Sequence, residues 1–454
     1  MHGNVNKHRA ERCSILPTMG SLAISAGGPA LLCGIFCAMA KLSETLQERG
    51  YVHQFSSENL SLITDGPKRT VYLGIDPSAD SLHIGNLVGL LVLRRFLEDG
   101  HKIILLTGGG TGMIGDPGGK SEERNLLDEE TIARNSAAVA SQIRAVFGSS
   151  DFIEENNATW LHELKLLEFL RDVGKYFTVN AMIKKDIVSE RLKKESPISF
   201  TEFSYSLLQG YDYLHLNEEY NCDVQVGGSD QWSNILAGVE FIKRKSGKEV
   251  YALTWPLVVN KSTGKKFGKS ESGAIWLDAA KTSPFQMYQF LLNIEDDAVE
   301  ELLLKLTLLS KEEIEAALEL HRRDAAARHA QRLLARSVTT IVHGDGAAST
   351  AEKVTDALFG DMPLSSLSDE ELTGVGTAAP SCNVQIEASI VDVLVESKLA
   401  SSKREAKQFL TSGAVSLNGE AILEPERQIE NKDFDRGLAL LKRGKRSVCI
   451  LALQ

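Results

Sequence analysis

Two short motifs, separated by residues 87–264, carry the residue types needed to hold a nucleotide triphosphate from two sides. The first, residues 76–86, reads Asp-Pro-Ser-Ala-Asp-Ser-Leu-His-Ile-Gly-Asn and places His83 where an apolar strand gives way to an apolar helix. A helix N-terminus offers free N–H groups and partial positive charge to a phosphate. The second, residues 265–270, reads Lys-Lys-Phe-Gly-Lys-Ser. Flexible ammonium groups can follow phosphate charge as it moves toward a leaving group.

The elements that position these motifs follow an α/β pattern from residue 41 to about residue 261. Short apolar runs, predicted as strands at 71–75 and 102–107, alternate with helical segments at 87–97 and 131–147. This alternation predicts a doubly wound parallel sheet, which binds ligands at the carboxyl ends of its strands. His83 and Asp116 both follow predicted strands, as that rule requires.

The rest of the chain changes character twice. Residues 283–358 show helical periodicity without a strand pattern, and residues 359–384 are rich in small residues, which predicts a linker. Residues 385–454 predict a small α+β domain. Its features are a helix at 386–399, a second helix capped by Ser401 or Ser402, and a hairpin turning at Asn418-Gly419.

Composition excludes several classes of protein. A chain of 454 residues with 43% apolar and 24% charged residues fits a soluble globular protein of two or three domains. A net charge of −11 means that any RNA contact must use locally concentrated basic residues. Six cysteines without a CxxC pair predict neither a zinc site nor a disulfide framework, and no apolar run is long enough to predict a membrane span.

The two motifs resemble the HIGH and KMSKS signatures of class I aminoacyl-tRNA synthetases, and the sequence around them resembles the bacterial-type tyrosyl-tRNA synthetases. The resemblance runs from about residue 40 to the C-terminus. It rests on residues 72–77, 108–117, 201–205, 209–212 and 227–232 as well as on the two motifs.

The resemblance implies a complete architecture and a reaction. A Rossmann-like catalytic domain would occupy residues 40–282, with the HIGH-like motif at 77–86 and the KMSKS-like loop at 266–270. A helical anticodon-binding domain (283–358) and, after the linker, an RNA-binding domain (385–454) would follow. Such enzymes activate L-tyrosine with ATP, accompanied by Mg²⁺ without a protein metal site, and transfer it to tRNA(Tyr). They act as homodimers, and a cytoplasmic location is expected here.

By the same resemblance, individual residues acquire expected roles in binding ATP and driving its reaction. Asn86 departs from the signature, which often has a second His there, but it can still donate a hydrogen bond. Gly85 would leave space for the adenine, and Asp230 would hold the ribose hydroxyls. The triphosphate would meet Ser78, His83, Lys120, Arg124, Lys266, Lys269 and Ser270, and the remaining ATP contacts would come from Gly74, Asp76, Asn86 and Gly228.

The expected tyrosine pocket rests on polar side chains. Tyr72 and Asp212 would hold the substrate hydroxyl, since a phenol is told from phenylalanine by groups left unpaired in its absence. Gln231 would face the carboxylate. The ammonium group would be bound by Asp116, Tyr205 and Gln209.

Each of these residues also has a plainer interpretation. His83 could be a buried or helix-capping histidine, Tyr72 and Tyr205 could be aromatic core residues, and Asp212 could be a helix cap or a surface charge. We set these aside because the positions agree with one another.

Seven basic residues of the C-terminal region are expected to contact RNA phosphates, although such a cluster can also be a solvated face. They are Lys403, Arg404, Lys407, Lys442, Arg443, Lys445 and Arg446.

Residues 1–39 are expected to be a disordered extension without function, or to result from an upstream start codon. Organellar targeting is the alternative, because basic and Ser residues are present and acidic residues are few.

Three other functions compete with tyrosine activation. A tryptophanyl-tRNA synthetase would share the fold, but an indole offers Tyr72 and Asp212 no hydroxyl. A catalytically silent RNA-binding relative should have lost the ATP motifs, which are intact. A small nucleotidyltransferase would have no use for residues 283–454.

Overall fold

The computed structural model describes residues 41–117, 126–259, 264, 266–270, 273–360, 362–444 and 446–454. These residues belong to one compact unit. The predicted extension at 1–39 lies outside the described residues, as do Lys120, Arg124 and Lys445. Lys269 and Ser270 are described by their backbone.

A six-stranded sheet forms the centre of the first region. Its order is β1-β6-β5-β2-β3-β4, and every neighbouring pair is parallel except β1 with β6. The chain runs from β2 outward to β4 and then returns to β5 beside β2, so a crevice opens between the ends of β2 and β5. The predicted doubly wound fold is confirmed. The strands are β1 (Gln54–Phe55), β2 (Thr70–Ile75), β3 (Lys102–Thr107), β4 (Ile153–Asn156), β5 (Cys222–Gly228) and β6 (Tyr251–Trp255).

Ten α-helices accompany this sheet in the described part of residues 41–259. The third begins earlier than the sequence predicted, because His83 and Asn86 form a capping box that starts the helix at Ile84. They are α1 (Leu42–Glu48), α2 (Ser61–Thr64), α3 (Ile84–Glu98), α4 (Glu129–Phe147), α5 (Ala158–Leu161), α6 (Leu166–Asp172), α7 (Val179–Met182), α8 (Asp186–Lys193), α9 (Phe200–Tyr220) and α10 (Trp232–Ser246).

A short antiparallel pair, β7 (Lys269–Ser270) and β8 (Gly273–Ala274), leads into a helical region. Leu302 and Leu306 of this region share one apolar core with α3. The Arg49 guanidinium donates to the carbonyls of Leu304 and Thr307, both at 2.9 Å, which ties the helical region to α1. The helices are α11 (Pro284–Leu292), α12 (Val299–Leu306), α13 (Lys311–Arg323), α14 (His329–His343), α15 (Asp345–Phe359) and α16 (Asp369–Ala378).

Helix α16 and strand β9 (Ser381–Val384) lie inside the segment predicted to be a linker. That prediction is wrong for these residues. Ser368 and Glu371 form a capping box that starts α16, and Leu372 and Val375 are buried against the neighbouring elements.

A five-stranded sheet, ordered β11-β10-β12-β13-β9, forms the C-terminal region. Asn418 and Gly419 both have positive φ, 50° and 89°, as the predicted hairpin turn requires. Ser402 caps the second helix through the Glu405 N–H. The remaining elements are α17 (Ile390–Glu396), α18 (Lys403–Thr411), β10 (Val415–Leu417), β11 (Glu420–Ala421), β12 (Leu438–Arg443) and β13 (Ser447–Leu453).

Within the described ranges, no helix has both the length and the apolar character needed to cross a bilayer.

Candidate active site

The two motifs, distant in sequence, share one wall of the crevice. The Ile84 N–H donates to the Ile275 carbonyl at 2.8 Å, and the Leu277 N–H donates to the Leu82 carbonyl at 2.8 Å. Gly268 has φ +78°, and a Cβ there would lie 2.3 Å from Ile84 Cγ2. The second motif therefore needs glycine at this position to pack against the start of α3.

His83 is a helix cap that also lines the crevice. Its Nδ1 accepts from the Gly85 N–H at 3.1 Å, while Asn86 Oδ1 accepts from the His83 N–H at 3.0 Å. Because Nδ1 is an acceptor, the ring proton of a neutral His83 lies on Nε2, which makes that atom a donor. Capping therefore fixes the tautomer that a phosphate ligand needs, and the two interpretations of His83 are compatible.

A cavity of about 310 Å³ occupies the crevice. It brings together every predicted ATP or tyrosine residue whose side chain or glycine backbone is described. These are Tyr72, Gly74, Asp76, Ser78, His83, Gly85, Asn86, Asp116, Tyr205, Gln209, Asp212, Gly228, Asp230, Gln231 and Lys266.

Asp212 lies at the buried end of this cavity. It is 2% exposed and sits in the middle of α9, so it is neither a helix cap nor a surface charge. Its two oxygens accept hydrogen bonds from Asn157 Nδ2 and Trp160 Nε1, each at 2.8 Å. Burial raises the pKa of Asp212 to about 7, although these two hydrogen bonds oppose the shift.

Tyr72 faces the cavity from β2. Its ring packs against that of Tyr213 at 5.2 Å, so the core-packing interpretation holds for the ring. Its hydroxyl, however, is buried and has no hydrogen-bond partner among the described residues. Burial raises the pKa of Tyr72 well above its ordinary value, and the Asp212 carboxylate adds to the shift. Such a hydroxyl remains available to pair with a ligand.

A polar network connects this end to the centre of the cavity. Asp76 accepts from the Tyr205 hydroxyl and from Thr111 Oγ1, both at 2.7 Å, and Asn157 Nδ2 donates to Thr111 Oγ1 at 2.9 Å. A Cβ at Gly108 would lie 2.0 Å from Asp76 Oδ1. Glycine at position 108 therefore makes the Asp76–Thr111 contact possible.

Asp116 forms a second polar cluster with residues that start α10. Gln231 Nε2 donates to its Oδ2 at 2.6 Å, and Asn234 Nδ2 lies 3.5 Å from its Oδ1. Asp116 is 9% exposed. A buried carboxylate that accepts hydrogen bonds from neutral amides can also bind an ammonium group.

The opposite end of the cavity is more open and carries charge. Lys266 Nζ lies 3.1 Å from Asp230 Oδ2, and its side chain is 45% exposed. Ser78 is exposed at the end of β2. The backbone of Lys269 and Ser270 follows as strand β7.

Six of the seven predicted RNA-contacting residues are described, and they lie on or near α18 and β12. Arg404, Lys407 and Arg446 are exposed. Lys403 Nζ pairs with Asp392 Oδ1 at 2.6 Å, and the Arg443 guanidinium lies 5.0 Å from the centre of the Phe409 ring. Lys442 is half-buried, which differs from the solvated-face alternative, and its predicted contact with RNA phosphate remains a prediction.

The Lys442 ammonium donates to the Gly360 carbonyl at 3.1 Å, so Lys442 joins β12 to the end of α15.

Sequence reasoning missed four polar residues of the site: Thr111, Asn157, Trp160 and Gln225. Thr111 and Asn157 hold Asp76 and Asp212, and Gln225 lines the cavity beside Tyr72, its partner in the sheet. The glycine run 108–110 was a signal for the tight approach around Thr111. Nothing local marked Asn157 or Trp160, because they reach the site only through the folding of the chain after β4.

No group of three or more His, Cys, Asp or Glu side chains in the described part of the chain is arranged to hold a metal ion.

Two family models match this chain. The model described as tRNA synthetases class I (W and Y) matches residues 64–360, which contain the sheet and the cavity. Fold, motifs and cavity thus define a class I aminoacyl-tRNA synthetase. A second model, the tyrosine–tRNA ligase SYY-like C-terminal domain, matches residues 371–451.

Individual relatives indicate the family within this class to which the chain belongs. The chain is 45% identical over 413 residues to the tyrosine–tRNA ligase of Staphylococcus haemolyticus, covering 89% of this chain and 97% of that protein. It is 43% identical to that of Roseiflexus castenholzii, covering 91% of this chain and all of that protein. The chain belongs to the tyrosine–tRNA ligase family of class I aminoacyl-tRNA synthetases.

A solved structure agrees with this assignment. The C-terminally truncated mitochondrial tyrosyl-tRNA synthetase of Aspergillus nidulans superposes with a TM-score of 0.62 at 31% identity, covering 68% of this chain and 92% of that chain.

Proposed function

We propose that the cavity activates L-tyrosine with ATP and then delivers the tyrosyl group to the 3′ end of tRNA(Tyr). The observation that carries the proposal is the pair at its buried end: the Asp212 carboxylate and the Tyr72 hydroxyl, which has no hydrogen-bond partner among the described residues. A phenol hydroxyl donates to the first and accepts from the second. Phenylalanine would leave the buried Tyr72 hydroxyl unpaired, at a cost of about 1–3 kcal/mol, and would give Asp212 no donor beyond Asn157 and Trp160.

The first step joins two anions, so the site must supply positive charge and orientation rather than a nucleophile. A carboxylate oxygen of tyrosine attacks the α-phosphorus of ATP, and pyrophosphate leaves with the bonding electrons. In the second step a ribose hydroxyl of the tRNA attacks the tyrosyl carbonyl carbon and loses its proton to solvent, and AMP leaves with the electrons of the broken C–O bond. We assign the ammonium to Asp116, Tyr205 and Gln209, and the carboxylate to Gln231.

The open end of the cavity suits the triphosphate. Nε2–H of His83 and the ammonium of Lys266 are donors for phosphate oxygens. We assign Lys120, Arg124, Lys269, Ser270 and Ser78 to the same task, with Asp230 on the ribose and Gly74, Asp76, Gly85, Asn86 and Gly228 around the nucleoside.

Mg²⁺ would enter with ATP, held mainly by phosphate oxygens and water, as is usual for this ion.

Amino-acid-dependent ATP–pyrophosphate exchange, screened over all twenty amino acids, tests the proposal. We expect exchange with tyrosine and its loss in Lys266→Ala and Lys269→Ala. Exchange with tryptophan would reassign the pocket. No exchange with any amino acid would favour a silent RNA-binding protein.

We propose that α18, with Arg443, contacts tRNA through Arg404 and Lys407, whose side chains are exposed on one helix. Arg404→Glu combined with Lys407→Glu should raise the KM for tRNA in aminoacylation and leave tyrosine-dependent exchange unchanged. Lys432→Glu, at another exposed lysine of the C-terminal region, is the control. Equal loss of exchange and aminoacylation would mean that the helix is structural.

We also propose a homodimer. Seven of the fifteen exposed large apolar side chains in the described residues fall between residues 166 and 200, including Leu166, Leu167, Val179 and Phe200 at 61–79% exposure. Such a concentration is typical of an interface. Sedimentation velocity should show a dimer that Leu167→Asp dissociates, while Leu423→Asp, at an exposed leucine outside this segment, should leave it intact. A wild-type monomer would refute the proposal.

We propose a division into domains at 40–282, 283–358 and 385–454. The last part of the proposal is a cytoplasmic location. The bacterial relatives support the location. Cell fractionation of the full chain and of a chain lacking residues 1–39 tests it. Recovery of the full chain alone in an organelle would favour the targeting interpretation of residues 1–39.

A further inference from the structure

Lys185 is a half-buried lysine that none of the roles above uses. It is the N-cap residue of α8, and its Nζ donates to Asn234 Oδ1 at 3.3 Å. Burial lowers the pKa of Lys185 to about 8, while the nearby carboxylates of Asp116 and Glu240 oppose the shift. The ammonium is therefore mostly charged near neutral pH, in surroundings where its charge is poorly screened by water.

Asn234 stands between Lys185 and the Asp116 cluster. Its Nδ2 lies 3.5 Å from Asp116 Oδ1 and 3.4 Å from Gln231 Oε1, while Gln231 Nε2 donates to Asp116 Oδ2 at 2.6 Å. The two longer distances are at the limit for hydrogen bonds, and contacts of this kind often tighten when a ligand binds.

The hydrogen-bonding capacity of these side chains determines which group donates and which accepts in each contact. A lysine ammonium can only donate, so Asn234 must turn its oxygen toward Lys185 and its NH₂ toward Asp116 and Gln231. Gln231 must then offer its own NH₂ to Asp116. Without the lysine, Asn234 Oδ1 would lose this donor, and the two long contacts to Asp116 and Gln231 would have to hold the amide in place.

We propose that Lys185 is a positioning residue for tyrosine binding. It acts through Asn234 to orient the amides of Asn234 and Gln231, so that Asp116 is held ready for the substrate ammonium. This inference rests on the proposed role of Asp116 in the tyrosine site. Lys185 itself does not touch the substrate.

Lys185→Met retains the length of the side chain and removes the donor. In tyrosine-dependent ATP–pyrophosphate exchange, its KM for tyrosine should rise roughly ten-fold, the size expected for one lost charge-assisted contact, with kcat changed by less than about three-fold. Lys185→Arg should recover most of the loss. Lys184→Met, at the adjacent exposed lysine, is the matched control and should behave as wild type.

A double-mutant cycle with Asn234→Ala separates this role from others. If Lys185 acts through Asn234, the double variant should have the same KM for tyrosine as Asn234→Ala alone. Multiplied effects would overturn the proposal. So would normal exchange by Lys185→Met combined with impaired aminoacylation, since that result would assign the cation to tRNA.

Failure of the proposed function has a different signature. In that case the wild-type protein itself would show no tyrosine-dependent exchange, and both proposals would fall. A misfolded Lys185→Met would be recognised by a lowered thermal midpoint and a lowered kcat together. The Lys185→Arg variant, folded and with a wild-type KM, would then still support the proposal, whereas a KM as high as that of Asn234→Ala would refute it.

Discussion

The two ends of the cavity are built in opposite ways. At the buried end, Asp212 and Tyr72 are 2% and 1% exposed, and Asp212 is held by two neutral donors at 2.8 Å. At the open end, Lys266 is 45% exposed and forms an ion pair with Asp230. The side chains of the buried end are therefore held in place before any ligand binds. At the open end, ATP must compete with Asp230 for the Lys266 ammonium.

This difference matches the two ligands. Tyrosine differs from phenylalanine by one neutral hydroxyl, which is recognised by buried polar groups that lose a hydrogen bond when it is missing. A triphosphate carries several charges and changes shape as pyrophosphate leaves, so an exposed ammonium on a long side chain suits it. Substitutions at the buried end should therefore lower the selectivity for tyrosine over phenylalanine, and substitutions at the open end should lower the rate of adenylate formation.

The largest effect is expected from Asp212→Ala. The variant leaves the substrate hydroxyl and the donors of Asn157 and Trp160 without their common acceptor. The ratio of kcat/KM for tyrosine to that for phenylalanine should fall by roughly 10³-fold or more. Exchange kinetics with both amino acids measure it, and Glu218→Ala, at an exposed carboxylate on the same helix, is the control. Unchanged selectivity would remove Asp212 from the pocket.

Lys266→Ala should act on rate instead. Charge on the leaving pyrophosphate grows in the transition state, so kcat for adenylate formation should fall roughly 10²-fold while the KM for tyrosine stays near that of wild type. Stopped-flow or exchange assays distinguish the two parameters. Lys102→Ala, at an exposed lysine of β3, should have no effect. A change confined to the KM for tyrosine would contradict the assignment of the reaction rate to the open end of the cavity.

The network behind the buried end can be broken without touching a polar side chain. Gly108→Ala would place a Cβ 2.0 Å from Asp76 Oδ1, so Asp76 or Thr111 must move. We expect a loss of about 1–3 kcal/mol in the free energy of unfolding and roughly ten-fold in kcat/KM. Gly346→Ala is the matched control, because open space surrounds that position and alanine favours the helix. Equal thermal midpoints for the two variants would refute the crowding argument.

The same contrast explains what the sequence predicts well and where it fails. Strand β3 has its predicted bounds, because a continuous apolar run between polar residues leaves little choice. The site residues near the two motifs gather around one cavity because they end strands or begin helices, where the topology of the sheet decides their place. Their individual roles remain predictions.

The failures have local physical causes. The capping box Ser368-x-x-Glu371 was a readable helix start that the small residues of 359–384 obscured. Asn157 and Trp160 could not be found, since only the tertiary fold brings them beside Asp212. Lys442 is half-buried on β12 and donates to the Gly360 carbonyl, a contact that its charge did not reveal, and its role toward RNA remains a prediction.

The smallest predicted effect is a dependence of selectivity on pH. Burial raises the pKa of Asp212 to about 7, so the carboxyl group is mainly protonated at pH 6 and mainly ionised at pH 8. An ionised carboxylate accepts a phenol O–H more strongly than a neutral acid does, and phenylalanine offers it nothing. The tyrosine-to-phenylalanine ratio of kcat/KM should therefore rise several-fold between pH 6 and pH 8.

Taking the ratio isolates Asp212, because both amino acids share the ammonium, the carboxylate and the groups that bind ATP. Titration of those groups alters the two rates together and cancels. In Asp212→Asn the ratio should be lower and independent of pH, since the amide does not titrate in this range. A flat ratio in the wild type would mean that Asp212 has the same charge at both pH values. An equal rise in the Asn variant would assign the titration to another group at the buried end.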